Sequence, residues 1–154
     1  MPVSTPVFGH LPGVPPGTVF DNRIALSVAG VHPARRAGIS GTQQHGATSI
    51  VLSGAYEDDE DYGDEIIYTG RGGRSSKTGK QTSDQELNHQ NLALAKSRTL
   101  GLPVRVTRGP DPDSLHAPET GYRYDGLYRI TDQWRERGRS GYYVWRFRLE
   151  RLER

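Results

Sequence analysis

A mainly β, single-domain fold with one or two helices, arranged as a barrel or strongly curved sheet, is what the sequence predicts. Three observations predict it. The 154 residues are enough for one domain with a real core. The 19 glycines and 10 prolines are spread along the chain, which marks many turns rather than disorder. Between those turns lie short apolar runs of strand length, and only one stretch has convincing helical spacing.

In chain order, the Pro/Gly-rich stretch up to Pro16 reads as an arm or entry loop. Residues 18–28 alternate loosely through Val19, Ile24, Leu26 and Val28 and predict one or two strands. Residues 29–47 form a loop rich in Gly, Pro, His and Arg. A short apolar strand follows over 48–53, then an acidic run, then a strand over 66–69. Residues 70–83 are a basic, glycine-punctuated loop. A helix is predicted to start at Ser83 or Asp84, with Glu86 in its first turn and Leu87, Asn91, Leu94 and Ala95 near one face. Strands are predicted over 102–107, 124–131 and 142–149. The last alternates Tyr143, Trp145, Phe147 and Leu149 against Val144, Arg146 and Arg148.

Composition narrows the function. No apolar run approaches bilayer length, and residues 1–16 lack the basic start and apolar stretch of a signal peptide. With no cysteine, disulfides and thiolate metal sites are excluded, which fits an intracellular setting, the cytoplasm or nucleoid of a bacterium or a nucleus. The net charge is only +2, but residues 57–65 carry seven acids and no base, whereas 66–110 carry eight bases and two acids. A segment of the second kind can sit against phosphates.

Catalytic and metal motifs are weak. The acids Glu57 to Asp61 match no calcium-loop spacing, and contiguous acids in one loop usually face water. The five histidines form no zinc-like pair and read as surface or turn residues. Ser/His/Asp combinations lack a surrounding nucleophile motif, and glycines 70, 72 and 73 lack the Walker or dinucleotide spacing. No metal, cofactor or catalytic residue is assigned. A sharper constellation joins Tyr56, Asp59, Tyr68 and the turn 70–73. It brings together two rings, a carboxylate and backbone that can be approached closely, which are the parts a flipped pyrimidine needs.

Residues 37–41 (AGISG), 45–74 (HGATSIVLSGAYEDDEDYGDEIIYTGRGGR), 123–130 (RYDGLYRI) and 140–149 (SGYYVWRFRL) resemble the SRA domain, also called YDG after the tripeptide Tyr124-Asp125-Gly126. The likeness spans roughly 8–150, which makes 1–7 an N-terminal arm and 8–154 the domain. It implies a PUA-like, saddle-shaped β-barrel that binds double-stranded DNA containing 5-methylcytosine, without catalysis of its own. Bacterial relatives pair such a domain with an HNH nuclease, fused or associated, so that a role in modification-dependent restriction is expected.

Carried over by position, Tyr56 and Tyr68 are the rings that sandwich the flipped base. Asp59 reads its Watson–Crick edge. Ser53 and Gly54 offer backbone amides to O2, the Thr69 carbonyl receives the amine, and Gly70 and Arg71 line the methyl group. Two loops fill the space left by the base. Arg35 and Arg36 belong to the one entering the minor groove, with Arg36 at its tip. Arg74, Ser75, Lys77, Lys80 and Gln81 belong to the one entering the major groove or meeting phosphates. Arg71 stands where the family usually has a small residue, Arg36 where a vertebrate member has an aliphatic one, and the 75–81 loop is shorter than in that member. A metal-dependent nuclease built on the acids of 57–65, and a PUA-like RNA-binding module, are the alternatives.

Overall fold

The computed structural model describes residues 5–152, so residues 1–4 of the expected arm and 153–154 of the expected domain lie outside the described residues. The elements are β1 (Val19–Phe20), α1 (Arg23–Val28), β2 (Ile39–Thr42), β3 (Gly46–Leu52), β4 (Glu60–Asp61), β5 (Glu65–Thr69), α2 (His89–Leu100), β6 (Pro103–Arg108), β7 (Tyr122–Arg137) and β8 (Tyr143–Arg151). The strands form one eight-stranded sheet in the order β2-β3-β6-β7-β8-β5-β4, with β1 paired to β7. Among the described residues only β3 and β6 pair in parallel, and α2 lies in the long connection such a pair requires.

The sheet curls because both ends of that path share one core. Ile39 and Ile50 at one end cluster with Ile66 and Tyr68 at the other, and Ala93 and Leu94 of α2 pack into the same cluster. The Tyr68 hydroxyl reaches the Gly38 and Val51 carbonyls at 3.1 and 3.3 Å, which joins β5 to the β2–β3 end. A second cluster of Leu26, Val31, Val51 and Tyr124 seats α1.

Two sequence expectations are corrected. Residues 23–28 are helical, not a strand. The Asn22 side chain caps the helix by accepting from the Ala25 N–H at 2.9 Å, and Leu26 is buried while Ile24 and Val28 are exposed. The main helix begins at His89 rather than at Ser83 or Asp84. Residues 84–85 are instead an extended strap along the edge of β8. The Gln85 N–H donates to the Tyr143 carbonyl, its side-chain oxygen accepts from the Trp145 N–H, and Asp84 accepts from the Tyr143 N–H. An edge with unpaired backbone groups outcompetes a marginal first helical turn. On α2, Asn91, Ala93, Leu94 and Ser97 are buried, whereas Ala95 is only partly so.

The YDG tripeptide is structural. On β7, Asp125 and Gly126 face one residue of β6 in a bulge, and Gly126 has φ of 104°, a value that favours glycine. Tyr124 is buried with its hydroxyl 2.9 Å from His10 Nδ1. Two of the eight bases in 66–110 are also interior. Arg105 is 1% exposed and donates to the carbonyls of Val7, Gly9, Gly30 and Val31, so Val7 of the expected arm is tied to the body. Arg108 is 2% exposed and grips Asp61 and Asp125.

Candidate nucleic-acid interface

Where β3 and β5 end side by side, a cavity of about 320 Å³ opens. Its walls include Tyr56, Tyr68, Asp59, Thr69, Ser53 and Arg71 from the expected base pocket, and Arg36 and Arg74 from the expected groove loops. The volume falls in the range of small-ligand sites, roughly 300–1,000 Å³. The curl of the sheet creates it, since Tyr68 and Tyr56 are twelve positions apart but reach one space.

Each ring is fixed differently. Tyr68 is 4% exposed, and its hydroxyl is bound into the wall by the two carbonyls named above. Burial, with the nearby Asp59 charge, pushes its phenol well above the ordinary range. Tyr56 is half-buried. Its hydroxyl accepts from the Gly72 N–H at 2.9 Å, and the Arg74 guanidinium lies 5.4 Å from the ring centre. Asp59 is half-buried by area, with its carboxylate inside the cavity, and Oδ1 accepts from the Thr69 N–H at 2.7 Å. Burial raises its pKa from 3.8 to about 7 against the pull of that hydrogen bond.

The turn after β5 is held from beneath by three buried amides. Asn91 accepts from the Arg71 N–H and donates to the Arg71 carbonyl, at 2.8 and 3.0 Å. Gln85 donates to the Gly70 carbonyl and Gln81 to the Gly72 carbonyl. Gln81 is 3% exposed, so it is a support of this turn and not the groove contact expected from sequence. Gly70 and Gly54 lie outside the cavity lining. A Cβ on Gly70 would come within 2.7 Å of Asn91 Oδ1, and one on Gly54 within 2.7 Å of the Asp111 carboxylate.

The structure divides the loop residues. Arg35 is exposed and away from the cavity, while Arg36 lines it. Residues 74–81 form a short turn closed by a bridge between Arg74 and Gln81. Lys77 and Lys80 are exposed there, but the Ser75 hydroxyl accepts from the Lys77 and Thr78 N–H groups and is taken up by the turn itself.

Sequence reasoning missed Arg23 and His32. The Arg23 guanidinium lines the cavity and donates to the carbonyls of Ala34, Arg36 and Ala37, which sets the shape of the loop carrying Arg36. Its signal was hidden by the strand reading of 18–28. His32, expected at the surface, is fully buried, with Nδ1 2.8 Å from the Ser49 hydroxyl and Nε2 2.8 Å from the Ala37 carbonyl. Burial lowers its pKa from 6.5 to about 4, against the pull of the Ala37 carbonyl and with help from the Arg23 and Arg105 charges.

Because the folded pKa of His32 is depressed, its contribution to stability is present above pH 6.5 and is lost as pH falls through about 4. The expected loss is up to about 3 kcal/mol. Urea unfolding of the wild type and His32→Asn from pH 7.5 to 4.5 checks this. The variant is expected to have the shallower pH slope, and identical slopes would refute the assignment.

The acidic run also differs from expectation, because much of it is paired rather than solvated. Asp58 is 5% exposed and accepts from the Arg139 N–H. Asp61 pairs with Arg108, Glu60 with Arg146 and Asp64 with Arg151. Among the described residues no group of three His, Cys, Asp or Glu is arranged to hold a metal ion, and no helix is long and apolar enough to cross a membrane.

The chain is similar to known proteins over nearly its whole length. The family model described as the SAD/SRA domain matches residues 7–154. The E3 ubiquitin-protein ligase UHRF1 of Bos taurus is 43% identical over 165 residues, covering 94% of this chain and 21% of that protein. The histone-lysine N-methyltransferase family member SUVH9 of Arabidopsis thaliana is 42% identical, covering 96% of this chain and 23% of that protein. The chain thus spans about a fifth of the length of these curated relatives.

Among solved structures, the modification-dependent TagI restriction endonuclease superposes with a TM-score of 0.92 at 44% identity, over 99% of this chain and 54% of that one. The SUVH5 SRA domain bound to fully hydroxymethylated CG DNA superposes with a TM-score of 0.81 at 38% identity, over 96% of this chain and 95% of that one. The fold is therefore that of SRA domains, and the chain belongs to the SAD/SRA domain family.

Proposed function

We propose that this domain reads 5-methylcytosine in double-stranded DNA by flipping the base into the cavity between Tyr56 and Tyr68, and that it performs no chemistry itself. The observation that carries this reading is the meeting of both rings and Asp59 in one open cavity bordered by arginines. A structural relative is described as an SRA domain in complex with fully methylated CG DNA, which supports the same use here.

Flipping costs a few kcal/mol of pairing and stacking. Base–aromatic stacking returns about 1–3 kcal/mol per base. Asp59 accepts from the cytosine N4 amine, whereas thymine would set its O4 acceptor against another acceptor. The backbone donors left free support one orientation of the base. The N–H groups of Thr69, Gly70, Arg71 and Gly72 are all taken, by Asp59, Trp145, Asn91 and Tyr56. Among the described residues the N–H groups of Gly54 and Ala55 find no acceptor. The 53–55 wall therefore meets O2, and the 69–71 wall meets C5 and its substituent. Exposed Arg35, Lys77 and Lys80 suit phosphates, with affinity that falls steeply with salt.

The TagI chain extends well beyond the part matched here. We infer that this domain likewise delivers a fused or partner nuclease to modified DNA inside the cell. A gel-shift titration of methylated and plain duplexes tests the reading. A methyl group in a fully apolar pocket is worth about 10–200-fold, and with Arg71 at the wall a preference near the lower end, about tenfold, is expected. Tyr56→Ala is expected to remove it while leaving salt-sensitive binding. Equal affinity of the wild type for both duplexes would defeat the proposal, and cleavage by the domain alone in magnesium would favour the nuclease alternative.

A further inference from the structure

We propose that the cavity is built for a cytosine whose 5-substituent carries an acceptor oxygen, and that Arg71 is the residue that recognises it. The inference rests on the base-pocket reading above and specifies its ligand further. With O2 toward residues 53–55 and the amine at Asp59, the substituent at C5 projects toward the wall of residues 69–71. A wall selecting a bare methyl there would be apolar and close-fitting. This one presents an arginine and, from the first turn of α2, Gln90.

Arg71 is available for that task. Its backbone is fixed on both sides by the buried Asn91, so the residue is held at the wall while its side chain stays exposed. Among the described residues its guanidinium makes no hydrogen bond or ion pair. The other nearby guanidinium groups are placed differently. Arg23 is committed to three loop carbonyls, Arg74 lies over Tyr56, and Arg36 belongs to the loop before β2 that Arg23 holds. Arg23, Arg36, Arg71 and Arg74 line the cavity together with a single carboxylate, Asp59. Burial brings the pKa of that carboxyl to about 7, so near neutral pH it is only partly ionised and repels an oxygen-rich substituent less than a full charge would.

A methyl group offers Arg71 no partner. A hydroxymethyl or carboxyl group offers an acceptor for a charge-assisted hydrogen bond, and the carboxyl can be gripped by two parallel bonds. The bond strengths typical of such pairs correspond to a gain of roughly 10- to 100-fold in affinity.

Fluorescence-anisotropy titrations with one duplex sequence carrying a single cytosine, 5-methyl-, 5-hydroxymethyl- or 5-carboxylcytosine test the proposal on the wild type, Arg71→Ser and Arg71→Lys. The two oxygen-bearing duplexes are expected to bind the wild type about tenfold or more tightly than the methylated one. Arg71→Ser is expected to erase that gain, so that the ratio of oxygen-bearing to methylated affinity falls to about one whatever the change in methylated binding, and Arg71→Lys to retain part of it. A larger gain for carboxyl than hydroxymethyl identifies charge as the feature read, and equal gains identify the oxygen. Methylcytosine bound as well as or better than both would overturn the proposal. So would a parallel weakening of all four duplexes by Arg71→Ser, which marks a phosphate contact. If the wild type bound all four alike, the base-pocket reading itself would fail, a result distinct from a methyl preference without further gain.

Discussion

Replacing Arg108 with methionine is expected to remove about 3–5 kcal/mol of folding stability, because it leaves Asp61 buried without its cation and takes from Asp125 one of its two arginine partners, Arg123 being the other. The Arg108 guanidinium grips Asp61 through Nε and Nη2 at 2.7 and 2.8 Å, and reaches Asp125 through Nη1 at 2.8 Å. Nη2 also donates to the Gly63 carbonyl at 2.9 Å. Burial alone would raise the Asp61 pKa. The Arg108 hydrogen bonds and charge more than offset it, so the carboxyl titrates below its ordinary value. This contribution is present above pH 3.8 and disappears as the carboxyl protonates below it.

The consequence reaches the cavity. Asp61 sits on β4 two residues beyond Asp59, so Arg108 clamps the segment that presents the reading carboxylate. For a domain of this size, the melting temperature is expected to fall by roughly 6–20 °C. Calorimetry at pH 7 measures it, and a change below about 1 kcal/mol would show that the cluster is dispensable.

Asp59→Asn is expected to separate binding from stability. The folded pKa of Asp59 is raised from 3.8 to about 7 by burial. A carboxyl so raised stabilises the fold below pH 3.8 and progressively loses that contribution as pH climbs through 7. At pH 8 the ionised group costs up to about 4 kcal/mol relative to acid conditions. Asparagine keeps an oxygen for the Thr69 N–H and carries no charge, so the variant is expected to be the more stable protein at pH 8, with the advantage shrinking toward pH 5. Its amide nitrogen, however, donates where the cytosine amine needs an acceptor, and modified-cytosine selection is expected to be lost. Thermal melts at the two pH values, run beside gel shifts on methylated and plain duplexes, measure both effects. A variant less stable at pH 8, or one that still selects the modified base, would contradict this account of Asp59. A site that binds better than it folds is a common cost of function.

What could be read without coordinates was whatever local chemistry announces. The strands β3, β5, β6 and β8 were legible because each is a short apolar or alternating run between turn residues. Tyr56, Asp59, Tyr68 and Arg71 were legible because their motif is continuous along the chain, and the structure does bring them to one cavity. Residues 23–28 and 83–88 were misread for the same reason, since a capped six-residue helix and a strap bonded to a sheet edge depend on partners distant in sequence.

By itself, the sequence determined the fold class, the family likeness and the residue types available to hold a base. Tertiary structure alone decided that Glu60, Asp61 and Asp64 pair with arginines from β6 and β8, that His32, Gln81 and Arg105 are interior supports, and that Arg23 shapes the loop beside the cavity. The physical reason is that a polar residue written in a sequence carries no mark of whether water or another chain segment will satisfy it. Inside a curled sheet, every buried charge and amide must be matched by groups tens of residues away, and only the closed fold shows which ones.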